Sequence, residues 1–311
     1  MANRLELTYG KSQAGKTTWY LQLAEHFYTT RGLRTRVYLG DGGGETIANS
    51  GLIEEGAVEV FQFNNRDNPF STLQLCCEAY WPEDISNPQS KLIQTKDLSP
   101  YGMFVYEGLS VGSDYMMGDK PGGLSYRAAK GEKIGQDTPY VVSEEGLKFG
   151  GNPPSHFGFV QRRIVDLIER TRGLQVPFVQ WTAHERKAED SEYQKGVFEF
   201  GPDVCGQALT TKIGAYFGNT IHLHQVTTKK KKKDAFTQKE VEILVVERRA
   251  YTRRHCDPDA QTSIKYYANN RMPMEFADEM PEYMTPPNPL KFYAILENAK
   301  GKKRMLLQGR K

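Results

Sequence analysis

No stretch of about 18 or more consecutive apolar residues occurs in this 311-residue chain, so no membrane-spanning helix is expected. The opening Met1-Ala2-Asn3-Arg4-Leu5-Glu6 lacks the apolar stretch of a secretory leader. Cysteine is scarce: Cys76, Cys77, Cys205 and Cys256 are the only four. Adjacent Cys76 and Cys77 are badly placed to bridge to each other, and no Cys/His cluster has zinc-ligand spacing. A disulfide framework and a zinc site are therefore not expected, and reduced, packed thiols fit a cytoplasmic setting. Internal repeats are missing. So are helix-turn-helix and zinc-finger patterns, which argues against sequence-specific reading of duplex DNA.

The charge that is present is unevenly spread. Val226 to Lys311 holds 19 Lys and Arg against 11 Asp and Glu, whereas the rest of the chain holds 22 against 27. A basic final third on an acidic body suggests contact with a polyanion, the alternative being a solvated basic tail.

Hydrophobic periodicity orders the chain. Alternation marks Leu5 to Tyr9 and Val58 to Phe63 as strands, and short apolar runs mark Arg36 to Leu39, Met103 to Tyr106 and Pro177 to Thr182. Helical spacing runs from Thr17 to Thr30, where Trp19, Leu23 and Phe27 recur, and from Phe159 to Arg172. Pro69 to Tyr80 is a further helix. Ile221 to Thr227 and Val241 to Glu247 flank a lysine run and predict a hairpin whose basic loop spans 229–240. Ser263 to Ala268 is another candidate strand. Gly108 to Pro154 (108–154) is rich in glycine and has no sustained period, so it is expected to be an irregular insertion. Strands alternating with helices predict an α/β protein with a mainly parallel sheet flanked by helices and antiparallel strands at its edge. The expected organisation is a core over 1–280, then a proline-rich linker, a short helix around Leu290 to Asn298 and a basic tail over 281–311.

Gly10-Lys11-Ser12-Gln13-Ala14-Gly15-Lys16-Thr17 matches G-x-x-x-x-G-K-S/T and is followed by Thr18. Such a loop wraps a phosphate with inward-pointing backbone N–H groups. Glycine is needed where a Cβ would clash or φ is positive, and the next helix presents its positive end. Lys16 is placed to reach the β- and γ-phosphates of ATP, and Thr17 to put its hydroxyl on Mg2+. The strand before and the helix after supply the context such a loop requires.

Phosphoryl transfer also needs a metal shell, an oriented water and positive charge on the leaving oxygens. Glu107, at the end of a buried strand, is the candidate for the Mg2+ shell, the alternative being a surface acid. Asp41 ends the second strand at a glycine-rich bend and faces the same crevice. Either Asp41 or Glu45 is placed to position water, and an Asp-Gly turn is the plain alternative for Asp41. His184, beyond the strand Pro177 to Thr182, is a candidate γ-phosphate sensor or a structural histidine.

These residues, together with Phe104 to Ser110, Trp181-Thr182-Ala183-His184-Glu185, Gly201 to Leu209 and Tyr216-Phe217-Gly218-Asn219, resemble phage-encoded RecA-like P-loop ATPases. Those are AAA-family nucleotide-binding proteins, some tied to single-strand annealing and recombination. The resemblance spans roughly Leu5 to Pro273. It implies a RecA-like fold, ATP and Mg2+ as ligands, Glu107 in the Walker B position, Asp41 near the catalytic acid and His184 as the sensor. Asn269-Asn270-Arg271 falls where related ring or filament ATPases carry a Lys-x-Arg finger, so Arg271 is the candidate finger for a neighbouring copy. Asn269 departs from that lysine. Lys11 occupies a slot that ParA/MinD-like ATPases use to reach across a dimer, and is otherwise a solvent-facing lysine.

The run Lys229, Lys230, Lys231, Lys232 and Lys233, followed by Arg248, Arg249, Arg253 and Arg254 with Tyr251 between them, predicts a nucleic-acid surface. Lysines neutralise phosphates and an aromatic stacks on bases. Single-stranded DNA is the expected partner, acted on by a homo-oligomeric ring or filament, with no membrane involved. A DNA-packaging or translocation motor and a ParA/MinD-like nucleotide-gated module are the alternatives.

Overall fold

The computed structural model describes residues 3–118, 123–129, 154–188, 199–205, 207–210, 212–233, 240–256 and 265–308. Along the chain run β1 (Arg4–Tyr9), α1 (Lys16–Arg31), β2 (Arg34–Leu39), α2 (Gly44–Ala48), β3 (Val58–Gln62) and α3 (Pro69–Cys76). A small hairpin of β4 (Tyr80–Pro82) and β5 (Leu92–Gln94) follows, then β6 (Tyr101–Glu107), α4 (Leu109–Met117), α5 (Leu124–Ala129), α6 (Pro154–Arg172) and β7 (Phe178–Ala183). Next come β8 (Glu185–Ala188), β9 (Glu199–Pro202), α7 (Gln207–Thr210), β10 (Asn219–Lys233) and β11 (Glu240–Tyr251). The chain closes with β12 (His255–Cys256), β13 (Lys265–Tyr266), β14 (Tyr283–Met284) and α8 (Pro289–Gln308).

Eight strands form the main sheet in the order β14-β11-β10-β1-β7-β6-β2-β3. The six from β10 to β3 are parallel, and β11 and β14 add an antiparallel edge. Strand β6 is buried at all seven positions, as a central parallel strand covered on both faces must be. Its alternating side chains feed two cores. Phe104 and Tyr106 join Leu5, Leu7 and Trp181 beneath α4 and α6. Met103 and Val105 join Val37, Leu39 and Ile221 beneath α1 and α8. A second sheet, β12-β13-β9-β8, begins two residues beyond the end of β7.

The stretch expected to be irregular carries α4 and α5. Its glycines conceal the helix because one of them is a packing residue: a Cβ on Gly112 would lie 2.8 Å from Leu73 Cδ2. Residues 119–122 and 130–153 of that stretch, the hairpin tip 234–239, and Ser263 and Ile264 lie outside the described residues. The proline-rich segment is more than a linker, since β14 pairs with Ala250 and Tyr251 of β11. As far as Gln308, the basic tail belongs to a twenty-residue helix, α8, whose Phe292, Leu296 and Ala299 are buried. Tyr293 of α8 donates a short hydrogen bond to Glu6 on β1, and Trp19 Nε1 of α1 donates to the same carboxylate at 2.9 Å. Burial pushes the Glu6 carboxyl up to about 7 against these hydrogen bonds. No helix among the described residues is long and apolar enough to cross a membrane.

Candidate functional site

The loop after β1 has the backbone its sequence requires. Gly10 and Gly15 sit at φ 158° and 102°, and a Cβ on Gly10 would lie 2.1 Å from the Leu223 carbonyl oxygen. Gln13 takes φ 63° without being glycine, a strained choice typical of a loop shaped for a ligand. The Lys16 ammonium curls back and donates to the carbonyls of Gly10, at 3.1 Å, and Lys11, at 3.0 Å. Burial lowers its pKa, while Asp41, Glu107 and Glu185 work in the opposite direction. A cleft of about 480 Å³ opens over the loop, lined by Ser12, Gln13, Gly15, Lys16, Thr17 and Thr18. Asp41, Glu45, Glu107, His184 and Arg248 also reach it. Ala14 is buried beneath the loop, and Lys11 is exposed and outside the cleft lining.

Glu107 is buried at the end of β6, where it accepts the Thr17 hydroxyl at 2.6 Å and the Tyr20 hydroxyl in a shorter bond. Burial, then the charge of Asp41, push its carboxyl up to about 7, opposed by the two hydroxyls and Lys16. Gly43 rests against it so closely that a Cβ there would be 2.6 Å from Oε1. The backbone N–H of Gly43 also donates to Asp41 Oδ1 at 3.2 Å. His184 Nε2 lies 3.7 Å from Asp41 Oδ2.

Three distant segments converge here through one short chain of hydrogen bonds. The His184 N–H donates to Ser110 Oγ at 2.9 Å, the Ser110 hydroxyl donates to the Asp203 carbonyl at 2.6 Å, and the Asp203 N–H returns to the His184 carbonyl at 2.7 Å. Gly108, at the turn into α4, donates to Thr182 Oγ1 at 3.2 Å. The turn after β6, the turn after β7 and the segment Gly201-Pro202-Asp203 thus form one scaffold beside the cleft.

Several predicted site residues are elsewhere. Arg271 is not in its own chain's cleft. Its guanidinium donates to the Gly218 carbonyl at 3.2 Å, at the amino end of β10, because Asn269 bridges to Thr220 and draws the segment to that end of the sheet. Tyr251 is 2 % exposed, and its ring stacks on His255, so it offers no open face to a base. Arg249 pairs with Glu247 at 3.3 Å, and Arg254 with Glu199 at 2.6 Å. Arg253 is exposed. Lys229, Lys230 and Lys231 belong to strand β10 rather than to a loop, and they meet Glu242, Glu247 and Glu240 at 3.5, 2.7 and 3.4 Å. The side chains of Lys232 and Lys233 lie outside what is described.

Arg248, expected on the nucleic-acid surface, lines the cleft over the loop. Its neighbours on β11 point to the other face of the ribbon, and its own stem would touch a Cβ on Gly15 at 3.6 Å. Register places it opposite Gln225, whose amide donates to the Gln13 carbonyl at 2.8 Å. Only knowledge of that pairing brings Arg248 to the cradle.

The loop, the buried acid two strands away on β6 and the intervening strand β7 with His184 at its end define a RecA-like P-loop fold. No family model and no curated protein matches the chain. Among solved structures, it is similar to the flagellar accessory protein FlaH from Methanocaldococcus jannaschii. That match has 12 % identity, covers 80 % of this chain and 77 % of the other, and has a TM-score of 0.37.

Proposed function

We propose that this protein is a Mg2+-dependent ATPase that acts on nucleic acid, with single-stranded DNA in recombination or replication as its substrate class. One observation carries the ATPase reading: Thr17, beside the cradle lysine, is hydrogen-bonded to a buried strand-end acid, Glu107. The donor set fits the expected ligands. A hydroxyl and a carboxylate suit Mg2+, and the glycine-lined loop with its lysine suits a triphosphate. Mg2+, when bound, supplies positive charge to the phosphate oxygens.

The chain's own residues do the rest. Lys16 exchanges its two loop carbonyls for phosphate oxygens, and the loop N–H groups hold the triphosphate. Arg248 adds a second cation from the β11 side. Asp41 orients the attacking water and accepts its proton, and His184, 3.7 Å from Asp41, reads the γ-phosphate end of the cleft. Arg271 faces away from this cleft, which supports a role in the site of a neighbouring copy in a ring or filament. The exposed lysines of β10 support the nucleic-acid reading, although their glutamate partners make the contact weaker and less steeply salt-dependent than five free charges.

Replacing Lys16 by Ala tests the core of this reading. ATP affinity, measured by calorimetry on the folded variant, should fall below detection. Unchanged affinity would place the nucleotide elsewhere.

A further inference from the structure

Beside the cradle, where β10 runs against β1, lies a second cluster to which the ATPase reading gives no role. His222 and His224 are alternate residues of β10 and share one face, while Glu185 opens β8 of the small sheet. One donor atom from each of the three lies within 4.8 Å of the others. The side chains of His222 and Glu185 are 0 % and 1 % exposed, and Tyr9 and Tyr266 stack on the His222 ring at 4.7 and 4.5 Å. A carboxylate and imidazoles buried this deeply are costly unless hydrogen bonds or a cation compensate them.

His222 Nε2 faces Glu185 Oε2 at 2.8 Å, His222 Nδ1 faces His255 Nε2 at 2.9 Å, and His255 Nδ1 faces the Cys256 carbonyl at 3.3 Å. These three contacts need three protons. Two neutral imidazoles carry two, and an ionised carboxylate brings none. If His255 donates to Cys256 and His222 Nδ1 donates to His255, the lone pair on His222 Nε2 points at a carboxylate oxygen. A cation held by both atoms suits that tautomer, whereas in the opposite one His222 Nε2–H donates to Glu185 and only the 3.3 Å contact to Cys256 is given up. His224, on the same face, supplies a further nitrogen to such a cation.

We propose that Glu185, His222 and His224 bind a divalent transition-metal ion of the zinc class, which fastens the small sheet to the strand behind the phosphate loop. Two imidazoles and a carboxylate form a ligand set that zinc favours. Bonds of about 2.0 Å in a tetrahedron put neighbouring donors roughly 3.3 Å apart. That spacing falls between the 2.8 Å His222–Glu185 contact and the 4.8 Å limit of the cluster, so small side-chain rotations suffice. The His222–His255–Cys256 relay then serves as the outer shell, fixing the tautomer in which the Nε2 lone pair is turned to the metal. The site was invisible as a sequence spacing because its carboxylate comes from another sheet; a pair of histidines two apart in a strand was the one local sign.

The test uses the full-length protein without a histidine tag. It is stripped with chelator, dialysed against micromolar zinc, and assayed for metal and, after cobalt substitution, for a visible absorption band. Wild type should retain roughly one equivalent of zinc and show the band. His224→Ala and Glu185→Gln should lose most of both, and His255→Gln should weaken zinc binding about 10- to 100-fold. Thr17→Ala, at the proposed Mg2+ position, should leave zinc content unchanged. A wild-type protein that holds no zinc overturns the proposal. Full retention in both His224→Ala and Glu185→Gln overturns it by placing the metal elsewhere. If the variants fail to fold, the cobalt spectrum of wild type decides: absence of the band rejects ligation by these side chains.

Discussion

Gly42 and Gly43 are adjacent, chemically identical and predicted to behave oppositely when changed to alanine. A Cβ on Gly42 would meet nothing within 4 Å, whereas one on Gly43 would sit 2.6, 2.7 and 2.8 Å from Oε1, Cδ and Oε2 of Glu107. Gly43 has φ −67° and ψ −7°, ordinary helical values, so alanine meets no backbone penalty there and the clash alone sets the cost. The carboxylate must move. It is held by the hydroxyls of Thr17 and Tyr20, and each hydrogen bond to a charged group contributes about 1.5–3 kcal/mol. Losing the equivalent of one such bond gives about 2 kcal/mol, or roughly a 30-fold loss of Mg2+-dependent ATP turnover. Overpacking adds about 1–3 kcal/mol of destabilisation, readable as a lower midpoint in urea. Gly42→Ala should change either quantity by less than about 0.5 kcal/mol. Shortening the acid in Gly43→Ala/Glu107→Asp should recover part of the stability, because aspartate withdraws its oxygens from the new methyl. Equal behaviour of the two alanine variants would mean that Glu107 is not pinned as described.

Three further outcomes are expected. The Glu6 carboxyl, raised to about 7 in the folded state, binds its proton more tightly there than in the unfolded chain, so stability is fully present below about pH 4.5 and falls as pH rises through 7. The fall should be about 3 kcal/mol, and Glu6→Gln should flatten it in denaturant titrations across that range; an unchanged pH profile would refute the assignment. Arg248→Ala should reduce ATP affinity about tenfold while leaving DNA affinity alone, and the reverse pattern would return Arg248 to the polymer surface. Replacing Lys229, Lys230 and Lys231 by serine should weaken single-stranded DNA binding and reduce its dependence on salt concentration. Unchanged binding would place the nucleic acid elsewhere.

Much of the core was legible because parallel strands buried on both faces leave uninterrupted apolar runs. Tyr101 to Glu107 and Phe178 to Ala183 are of this kind. The loop was legible because its chemistry is local in sequence. What failed to show was chemistry made by register. Arg248 reads as one of several basic residues until β11 is laid against β10. Tyr251 reads as an aromatic available to a base until His255 is stacked on it at 3.4 Å. The lysine run reads as free charge because its partners Glu240, Glu242 and Glu247 lie on the other strand. The helix α4 was hidden by Gly112, whose missing Cβ makes room for Leu73.

Strand β10 is continuous from Asn219 to Lys233, and its first four residues lie against Glu6 to Tyr9 of β1. At about 3.3 Å per residue it is roughly 50 Å long, and more than half of that length projects past the end of β1. Leu223, whose carbonyl lies against Gly10, sits where the ribbon leaves its pairing with β1. One uninterrupted backbone therefore carries both the carbonyl that Gly10 must accommodate and the lysines of the outer ribbon.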